Sequence, residues 1–207
     1  MAIKTATTID GKTATSNGSS KWITSENARL EVQNIRKKYD AILTTSSTII
    51  ADNPHMLHKN KIILDRTLKT DFLNAEIYKT GNCHVFYDKN IASERLDSIL
   101  SAIKNKNNIS LLPINVTSNK IDLEAVLDKI YELGIMSVLV EAGGHLNGSI
   151  LKYTDRIYQF IAPKVLGDNK GLSCFDYRDV NSINMTENFK IDKIKTFEPD
   201  ILITYSK

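Results

Sequence analysis

Apolar and polar positions along the chain follow two different periods, one typical of strands and the other of helices. Runs rich in β-branched residues recur from the N-terminus onward, separated by segments whose apolar residues lie three and four positions apart. The runs predict strands at residues 2–8, 41–45, 61–65, 83–87, 109–114, 135–140 and 156–163. The helical spacing predicts a helix from a cap at Thr24 or Ser25 to about residue 39, and others at residues 93–104, 123–133 and 147–152.

The C-terminal strands are expected to pair differently from the others. Residues 189–196 and 201–205 flank the turn sequence Glu198-Pro199-Asp200, which predicts an antiparallel hairpin. Because the earlier strands alternate with helices, the expected architecture is an α/β fold with a mixed sheet and antiparallel strands at one edge. The sequence contains no internal repeat, low-complexity segment or linker, so we expect a single domain over residues 1–207.

The stretch from residue 135 to residue 149 is the strongest local candidate for a binding site. An apolar run ends at Glu141 and passes into Gly143 and Gly144, after which a helix is predicted. A strand, a tight turn and a helix N-terminus together direct several backbone N–H groups at one point, where a phosphate can bind. The same glycines also fit an ordinary turn, and their spacing is not the G-x-G-x-x-G of dinucleotide-binding folds.

Other polar positions allow both a structural and a functional interpretation. Trp22 follows a polar loop at residues 16–20 and is a hydrophobic plug or a platform for a flat ring; taken alone, the plug is favoured. Arg29 and Arg36 share one helix face, which is either solvated or presents a guanidinium to a phosphate. Asp52 precedes Asn53-Pro54, which either ends a helix or holds Asp52 at the mouth of the sheet.

Composition and charge exclude several classes of function. The 207 residues are 42% hydrophobic and 25% charged, as in globular proteins, and the net charge of +3 is too small to indicate nucleic-acid binding. The two cysteines belong to no motif, so reduced thiols and a cytoplasmic protein are expected. Residues 1–6 lack the apolar region of a secretory signal, and no apolar run approaches the length of a membrane helix. The histidines show no metal-ligand spacing, and the sequence has no nucleophile elbow.

Five short motifs, taken in order, resemble the reductase family of riboflavin biosynthesis. They are Lys4-x-Ala6-x-x-x-Asp10-Gly11-Lys12, Ser20-Lys21-Trp22-Ile23-Thr24-Ser25, Thr48-x-x-Ala51-Asp52-Asn53-Pro54, Val140-Glu141-Ala142-Gly143 and Ile161-Ala162-Pro163-Lys164-x-x-Gly167. The resemblance spans almost the entire chain. It implies NADPH-dependent reduction of 5-amino-6-(5-phosphoribosylamino)uracil and a fold similar to dihydrofolate reductase, with about eight strands and helices on both faces of the sheet.

The resemblance also implies which residues form the site. The NADPH contacts would be Ala6, Trp22, Thr48, Asp52 and the pyrophosphate cradle Gly143, Gly144, His145, Leu146, Asn147, Gly148 and Ser149. The contacts to the substrate, a phosphorylated pyrimidine riboside, would be Ser20, Arg36, the backbone around Met56, Lys59 and Glu141. Lys59 stands where many relatives have arginine, so a bidentate phosphate contact would become a point charge.

The implied reaction opens the ribose ring at C1′ and delivers a hydride to that carbon. We assign proton donation during ring opening to Lys4, with Asp52 and Glu141 orienting the ribose hydroxyls and the lysine. Without the resemblance, Lys4 would be interpreted as an exposed lysine on an edge strand.

Three alternatives stay open at the level of sequence. The first is the sister reductase that acts before deamination, on 2,5-diamino-6-ribosylamino-4(3H)-pyrimidinone 5′-phosphate. The second is a reductase directed at a pterin, and the third is a catalytically silent nucleotide-binding module. In many bacteria the family's reductase follows a zinc deaminase in one polypeptide, and the deaminase signature is missing here. We therefore expect a stand-alone reductase or the C-terminal part of a longer protein, and a homodimer.

Overall fold

A computed structural model describes residues 1–176 and 178–207. The strands, in chain order, are β1 Ala2–Thr7, β2 Lys12–Ala14, β3 Ala41–Thr45, β4 Asn60–Leu64, β5 Asn82–Asp88, β6 Ile109–Ile114, β7 Val116–Thr117, β8 Lys120–Ile121, β9 Val138–Val140, β10 Arg156–Ile161, β11 Leu172–Ser173, β12 Lys190–Phe197 and β13 Asp200–Ser206. The helices are α1 Glu26–Arg36, α2 Ser46–Asp52, α3 Ser93–Ile103, α4 Leu123–Glu132 and α5 Gly144–Ile150. Single 3₁₀ turns lie at Glu76–Lys79, Leu151–Tyr153 and Ile183–Met185.

The chain divides into two compact units, and the first comprises residues 1–38 and 139–207. Its strands follow the order β12-β13-β10-β1-β9. Strand β1 pairs in parallel with β10 and with β9, whereas β13 pairs antiparallel with both β10 and β12. The predicted C-terminal hairpin and the mixed sheet with an antiparallel edge are therefore confirmed.

The second unit, residues 39–138, is built on parallel strands in the order β3-β4-β5-β6. Strands β3, β4 and β5 are apolar and largely buried, as is typical of parallel sheets. The core of this unit draws on β3, β4, β5, α2, α3 and the loops between them, and includes Ile42, Ile49, Met56, Ile63, Leu68, Phe72, Ile77, Tyr78, Val85 and Ile99. Ring stacking between Phe72 and Tyr78, with centroids 4.9 Å apart, closes one side of it.

Helix boundaries follow from capping groups that the sequence displays. The Ser25 hydroxyl accepts a hydrogen bond from the Ala28 amide, and the Asp122 carboxylate accepts one from the Ala125 amide, so both residues act as N-caps. Gly134, with φ of +75°, follows the end of α4 as predicted. Helix α1 ends at Arg36, three residues earlier than expected, and just beyond it the Lys38 amide donates to the Ile35 carbonyl three residues back, which tightens the last turn.

Three local predictions were wrong, each for a physical reason. Residues 135–140 form only a short strand, because the amides of Met136 and Ser137 are bound by the Asp40 carboxylate. Helix α5 begins at Gly144 instead of residue 147, since the extended backbone of Gly143 serves as its N-cap. No strand was predicted at residues 12–14, which form β2 because they pair with β11.

No helix within residues 1–176 and 178–207 combines the length and the apolar character needed to cross a membrane. The same residues contain no group of three or more histidine, cysteine, aspartate and glutamate side chains placed to hold a metal ion. Cys83 and Cys174 are both buried and free. The assignment of residues 1–207 to one domain stays a prediction.

A buried carboxylate fixes the loop after β4 in the second unit. Asp65 is fully buried and accepts hydrogen bonds from the amides of Lys69 and Thr70, at 3.0 and 2.9 Å, and from the Thr70 hydroxyl at 2.8 Å. The Thr70 hydroxyl also lies 2.7 Å from the Tyr78 hydroxyl. The loop thus depends on one acceptor, because buried donors without a partner destabilise the folded state.

Replacing this acceptor should destabilise the protein. We expect Asp65→Ala to lower the free energy of unfolding by about 3 kcal/mol, since it removes the acceptor of two buried donors, the Thr70 amide and hydroxyl. Urea denaturation followed by circular dichroism measures the change. Asp97→Ala, at an exposed position of α3, is the matched control and should change the midpoint little. Equal midpoints for the two variants would contradict the assigned role of Asp65.

Candidate functional site

Three predicted site residues meet in the first unit because of strand register. Strand β1 pairs with β9 so that Ile3 lies opposite Val140, and the next residues are Lys4 and Glu141. Glu141 directly follows β9, at the carboxyl end where ligands of α/β sheets commonly bind. Arg36 is the last residue of α1. Two strands and one helix end therefore bring a lysine, a carboxylate and a guanidinium together.

The ion pair between Arg36 and Glu141 is bidentate. Arg36 Nε donates to Glu141 Oε1 at 2.6 Å, and Nη2 donates to Oε2 at 3.0 Å. Lys4 Nζ lies 3.9 Å from Oε2, beyond hydrogen-bond length. The side chains of Glu141, Arg36 and Lys4 are only 8%, 14% and 17% exposed. Glu141 is thus held firmly by the arginine and only weakly by the lysine.

The environment of Lys4 disfavours its charged form. Burial lowers the pKa of Lys4 most strongly, Glu141 raises it, and the nearby Arg36 lowers it again, with a net shift below the usual value. A lysine with a lowered pKa releases its proton more readily than a surface lysine, which suits general acid catalysis near neutral pH. The alternative interpretation of Lys4 as an exposed lysine on an edge strand is therefore wrong, since β1 lies between β10 and β9.

After Glu141, packing requires glycine at two positions and leaves a third with room for a side chain. A Cβ on Gly144 would lie 2.2 Å from the Ser173 carbonyl oxygen, and a Cβ on Gly148 would lie 1.7 Å from that of Asp176. Both positions therefore require glycine because the segment of residues 173–176 passes against α5. A Cβ on Gly143 would meet nothing within 4 Å. Of these three glycines, Gly143 alone has open space beside it.

Among the remaining residues of the segment 143–149, some side chains are buried and others lie on the surface. Asn147 is buried, and its Nδ2 donates to the carbonyls of Ala142 at 3.3 Å and Cys174 at 2.9 Å. Its Oδ1 has no hydrogen-bond partner among the residues that the structure describes. Leu146 is buried, whereas His145 is exposed and lies 3.2 Å from the Asp176 carboxylate. The Ser149 hydroxyl donates to the His145 carbonyl.

Trp22 lies on the surface, so its interpretation as a hydrophobic plug was wrong. Its side chain is 63% exposed, and the Arg29 guanidinium lies 4.3 Å from the centre of the indole. Arg29 also donates to the Thr24 carbonyl at 2.7 Å. The cation–π contact replaces apolar packing on one ring face. Ala6 and Ser20 are half-buried, and Ala6 lies two residues from Lys4 on the same side of β1.

The other predicted site residues belong to the second unit. Thr48 lies in α2, where its amide donates to the Thr45 hydroxyl, and Asp52 is the last residue of that helix. Met56 is buried in the core, so only its backbone is available to a ligand, while Lys59 is exposed. Asn53 adopts a left-handed conformation with φ of 43°, which ends α2 as the Asn-Pro sequence predicted.

Asp10, quoted only as part of a motif, has a structural role. Its carboxylate accepts hydrogen bonds from the amides of Leu166 and Gly167, at 3.0 and 2.9 Å. A hydrogen bond from the Thr8 hydroxyl, followed in strength by the bonds from these two amides, holds the pKa of Asp10 well below its usual range. The first and last of the five motifs are therefore linked by hydrogen bonds from main-chain amides to the Asp10 carboxylate.

Comparisons with known proteins identify relatives along the whole chain. A family model described as the RibD C-terminal domain matches residues 1–203. A riboflavin biosynthesis protein RibD of Buchnera aphidicola from Baizongia pistaciae is 32% identical, over all of this chain and 59% of its own length. A 5-amino-6-(5-phosphoribosylamino)uracil reductase of Buchnera aphidicola from Acyrthosiphon pisum is also 32% identical, over 92% of this chain and 97% of its own length.

Solved structures agree with the fold. Acinetobacter baumannii RibD superimposes with a TM-score of 0.78 at 25% identity, covering 99% of this chain and 57% of that one. Dihydrofolate reductase from Enterococcus faecalis superimposes with a TM-score of 0.54 at 12% identity, over 99% of this chain and 94% of that one, a likeness of fold alone. The expected dihydrofolate-reductase-like fold is thus confirmed. The chain spans little more than half the length of the RibD proteins that it matches.

The glycine positions provide a test of packing. We expect Gly148→Ala to lower the free energy of unfolding by about 1–3 kcal/mol or more, since its Cβ would overlap the Asp176 carbonyl. Gly143→Ser is the matched control, because its Cβ would meet nothing within 4 Å and serine is a favoured N-cap. Thermal unfolding compares the two. If Gly148→Ala melted with the wild type, the close approach of residues 173–176 to α5 would be wrong.

Proposed function

Because the chain belongs to the RibD C-terminal domain family, we propose that it is an NADPH-dependent oxidoreductase of riboflavin biosynthesis. Its reaction is the reduction of the ribosyl group of 5-amino-6-(5-phosphoribosylamino)uracil to the ribityl group. A relative of nearly equal length is named for this substrate, which disfavours the sister reductase and the pterin-directed alternative. The observation that carries the proposal is a buried lysine beside a carboxylate at the end of β9, followed directly by a glycine turn.

The proposed chemistry balances as a ring opening followed by a reduction. In the first step the bond between C1′ and the ring oxygen breaks, the exocyclic nitrogen loses its proton and forms a C=N bond to C1′, and the ring oxygen receives a proton. Lys4 is the proposed donor of that proton, and Glu141, held by Arg36, orients Lys4. NADPH supplies the hydride that C1′ then accepts, while a proton goes to the nitrogen. Asp52 is the proposed partner of the ribose hydroxyls.

The residues of the first unit fit a dinucleotide. The amides at the start of a helix lack intrahelical acceptors, and Gly143 leaves open space beside those of α5, which suits a pyrophosphate. The exposed indole of Trp22 offers a flat apolar surface. We therefore assign NADPH contacts in the first unit to Ala6, Trp22, Gly143, Gly144, His145, Leu146, Asn147, Gly148 and Ser149. For Thr48 and Asp52 of the second unit, the proposed NADPH contacts rest on the sequence motif alone. Gly144, Gly148 and Asn147 also have packing roles and would contribute mainly through their backbone.

For the substrate we retain contacts from Ser20, Arg36, the Met56 backbone, Lys59 and Glu141. The exposed ammonium of Lys59 suits a phosphate group. Arg36 already binds Glu141 through Nε and Nη2, so a phosphate would meet its remaining N–H groups on Nη1, which now contacts Gln33 at 3.4 Å. We further propose a cytoplasmic homodimer that works with a deaminase domain or enzyme.

The decisive assay is NADPH oxidation at 340 nm, with the substrate generated in place by a separate deaminase. Oxidation that requires the deaminase establishes both the activity and the order of steps. Equal oxidation when the deaminase is omitted would assign the chain to the sister reductase. No oxidation in either arm would overturn the proposal and favour a silent nucleotide-binding module.

Removing the proposed proton donor should slow turnover. We expect Lys4→Met to lower kcat by about 10²- to 10⁴-fold, the usual contribution of general acid catalysis. The wild-type rate should fall as the pH rises through the pKa of Lys4, which lies below the ordinary lysine value, because only the protonated amine can donate. Lys190→Met, at an exposed position of β12, is the control. A kcat for Lys4→Met within about threefold of wild type would contradict the assignment.

A further inference from the structure

Arg36 was predicted from sequence to contact the substrate, but in the structure it contacts Glu141. Arg36 Nε and Nη2 donate to the two carboxylate oxygens at 2.6 and 3.0 Å, whereas Lys4 Nζ lies 3.9 Å from Oε2. Planar guanidinium groups hold carboxylates in a fixed orientation, which a flexible ammonium does not. Glu141 is therefore oriented by the arginine, and its negative charge is already compensated before Lys4 interacts with it.

We propose that Arg36 is a positioning residue which, by holding both oxygens of Glu141, prevents this carboxylate from forming a close ion pair with Lys4. Lys4 is thereby kept able to release its proton. The inference rests on the proposed function, in which Lys4 is the proton donor. It goes beyond the substrate contact expected from sequence, because Arg36 also acts here through Glu141, with its Nε and Nη2 groups.

The charges around Lys4 in the first unit favour this role. Glu141 approaches from the end of β9 and Arg36 from α1, while β10 contributes Tyr158 opposite Lys4 in the sheet and the Phe160 ring, 5.9 Å from Nζ. The cluster of Lys4, Arg36 and Glu141 thus holds two cations and one carboxylate. In buried surroundings such a cluster disfavours its less well paired cation, and the pKa of Lys4 is correspondingly lowered.

Loss of Arg36 should strengthen the hold of Glu141 on the Lys4 proton. Removing the guanidinium deletes a nearby positive charge and the two hydrogen bonds that it donates to the Glu141 carboxylate, and each change favours protonated Lys4. A donor that holds its proton more tightly is a weaker acid in the ring-opening step. A residue that only bound the substrate phosphate would alter KM and leave the titration of Lys4 in the free protein unchanged.

The test is competitive labelling of the free protein with acetic anhydride over a range of pH, with each lysine followed by peptide mass spectrometry. Only the neutral amine reacts, so the midpoint for Lys4 reports its protonation. We expect Arg36→Met to raise this midpoint by about one pH unit or more, so that Lys4 reacts about tenfold more slowly below the midpoint. Arg156→Met, which removes a surface partner of Asp192, is the matched control and should leave the midpoint unchanged.

Two further variants, Glu141→Gln and Arg36→Lys, test the same inference through the labelling midpoint of Lys4. Glu141→Gln should lower the Lys4 midpoint, and in the Arg36→Met background it should reverse the upward shift. Arg36→Lys keeps the positive charge but loses the bidentate contact with Glu141. We therefore expect a Lys4 midpoint between those of the wild type and Arg36→Met. Far-ultraviolet circular dichroism and thermal unfolding report whether each variant is folded. If Arg36→Met is unfolded, the midpoints of Arg36→Lys and Glu141→Gln decide between the two roles of Arg36.

An unchanged or lowered midpoint in the folded Arg36 variants would overturn the inference. Labelling needs neither substrate nor NADPH, so this result does not depend on the proposed reaction. Kinetics supply the second readout: in Arg36→Met the alkaline limb of the kcat profile should move upward in pH along with the labelling midpoint. A rise in KM alone, with both profiles unmoved, would return Arg36 to the role of a phosphate ligand.

Discussion

The bidentate ion pair between Arg36 and Glu141 is the interaction on which the candidate site depends. It joins the end of α1 to the residue after β9, in surroundings where both side chains are almost completely removed from water. Burying two charges is costly unless their geometry is good and their hydrogen bonds are satisfied, and a fork bound to both carboxylate oxygens meets that condition. Once Glu141 is fixed in this way, the surroundings of Lys4 on β1 are fixed as well.

Much of the fold could be predicted from the sequence because it is encoded locally. The strands of the second unit are short apolar runs, and α1 and α4 begin at side-chain caps that are visible in the sequence. The C-terminal hairpin surrounds an obvious turn. The errors occurred where a distant group determined the local structure, as when Asp40 binds the amides of Met136 and Ser137 and shortens β9.

The candidate site could be predicted only in part. Lys4 and Glu141 belong to the motifs, and the resemblance implied Arg36, but the contact of these three residues depends on the register of β1 and β9 and on the point where α1 ends. Neither feature can be read from spacing along the chain. The surface position of Trp22 was missed for the same reason, since its ring face is covered by Arg29, and a cation seven residues away does not look like a packing partner.

The glycines that follow Glu141 have two separate physical reasons, one related to ligand binding and the other to packing. The helix start and the open space at Gly143 are suited to an anionic ligand, yet Gly144 and Gly148 are required by the passing backbone of residues 173–176. The same segment accepts a hydrogen bond from buried Asn147 at the Cys174 carbonyl. Packing of this kind holds the first turn of α5 in one conformation, and a binding surface made of backbone amides needs such rigidity. Gly144 and Gly148 have no side chain to contact a ligand, but their packing still determines the shape of the amide surface that would bind it.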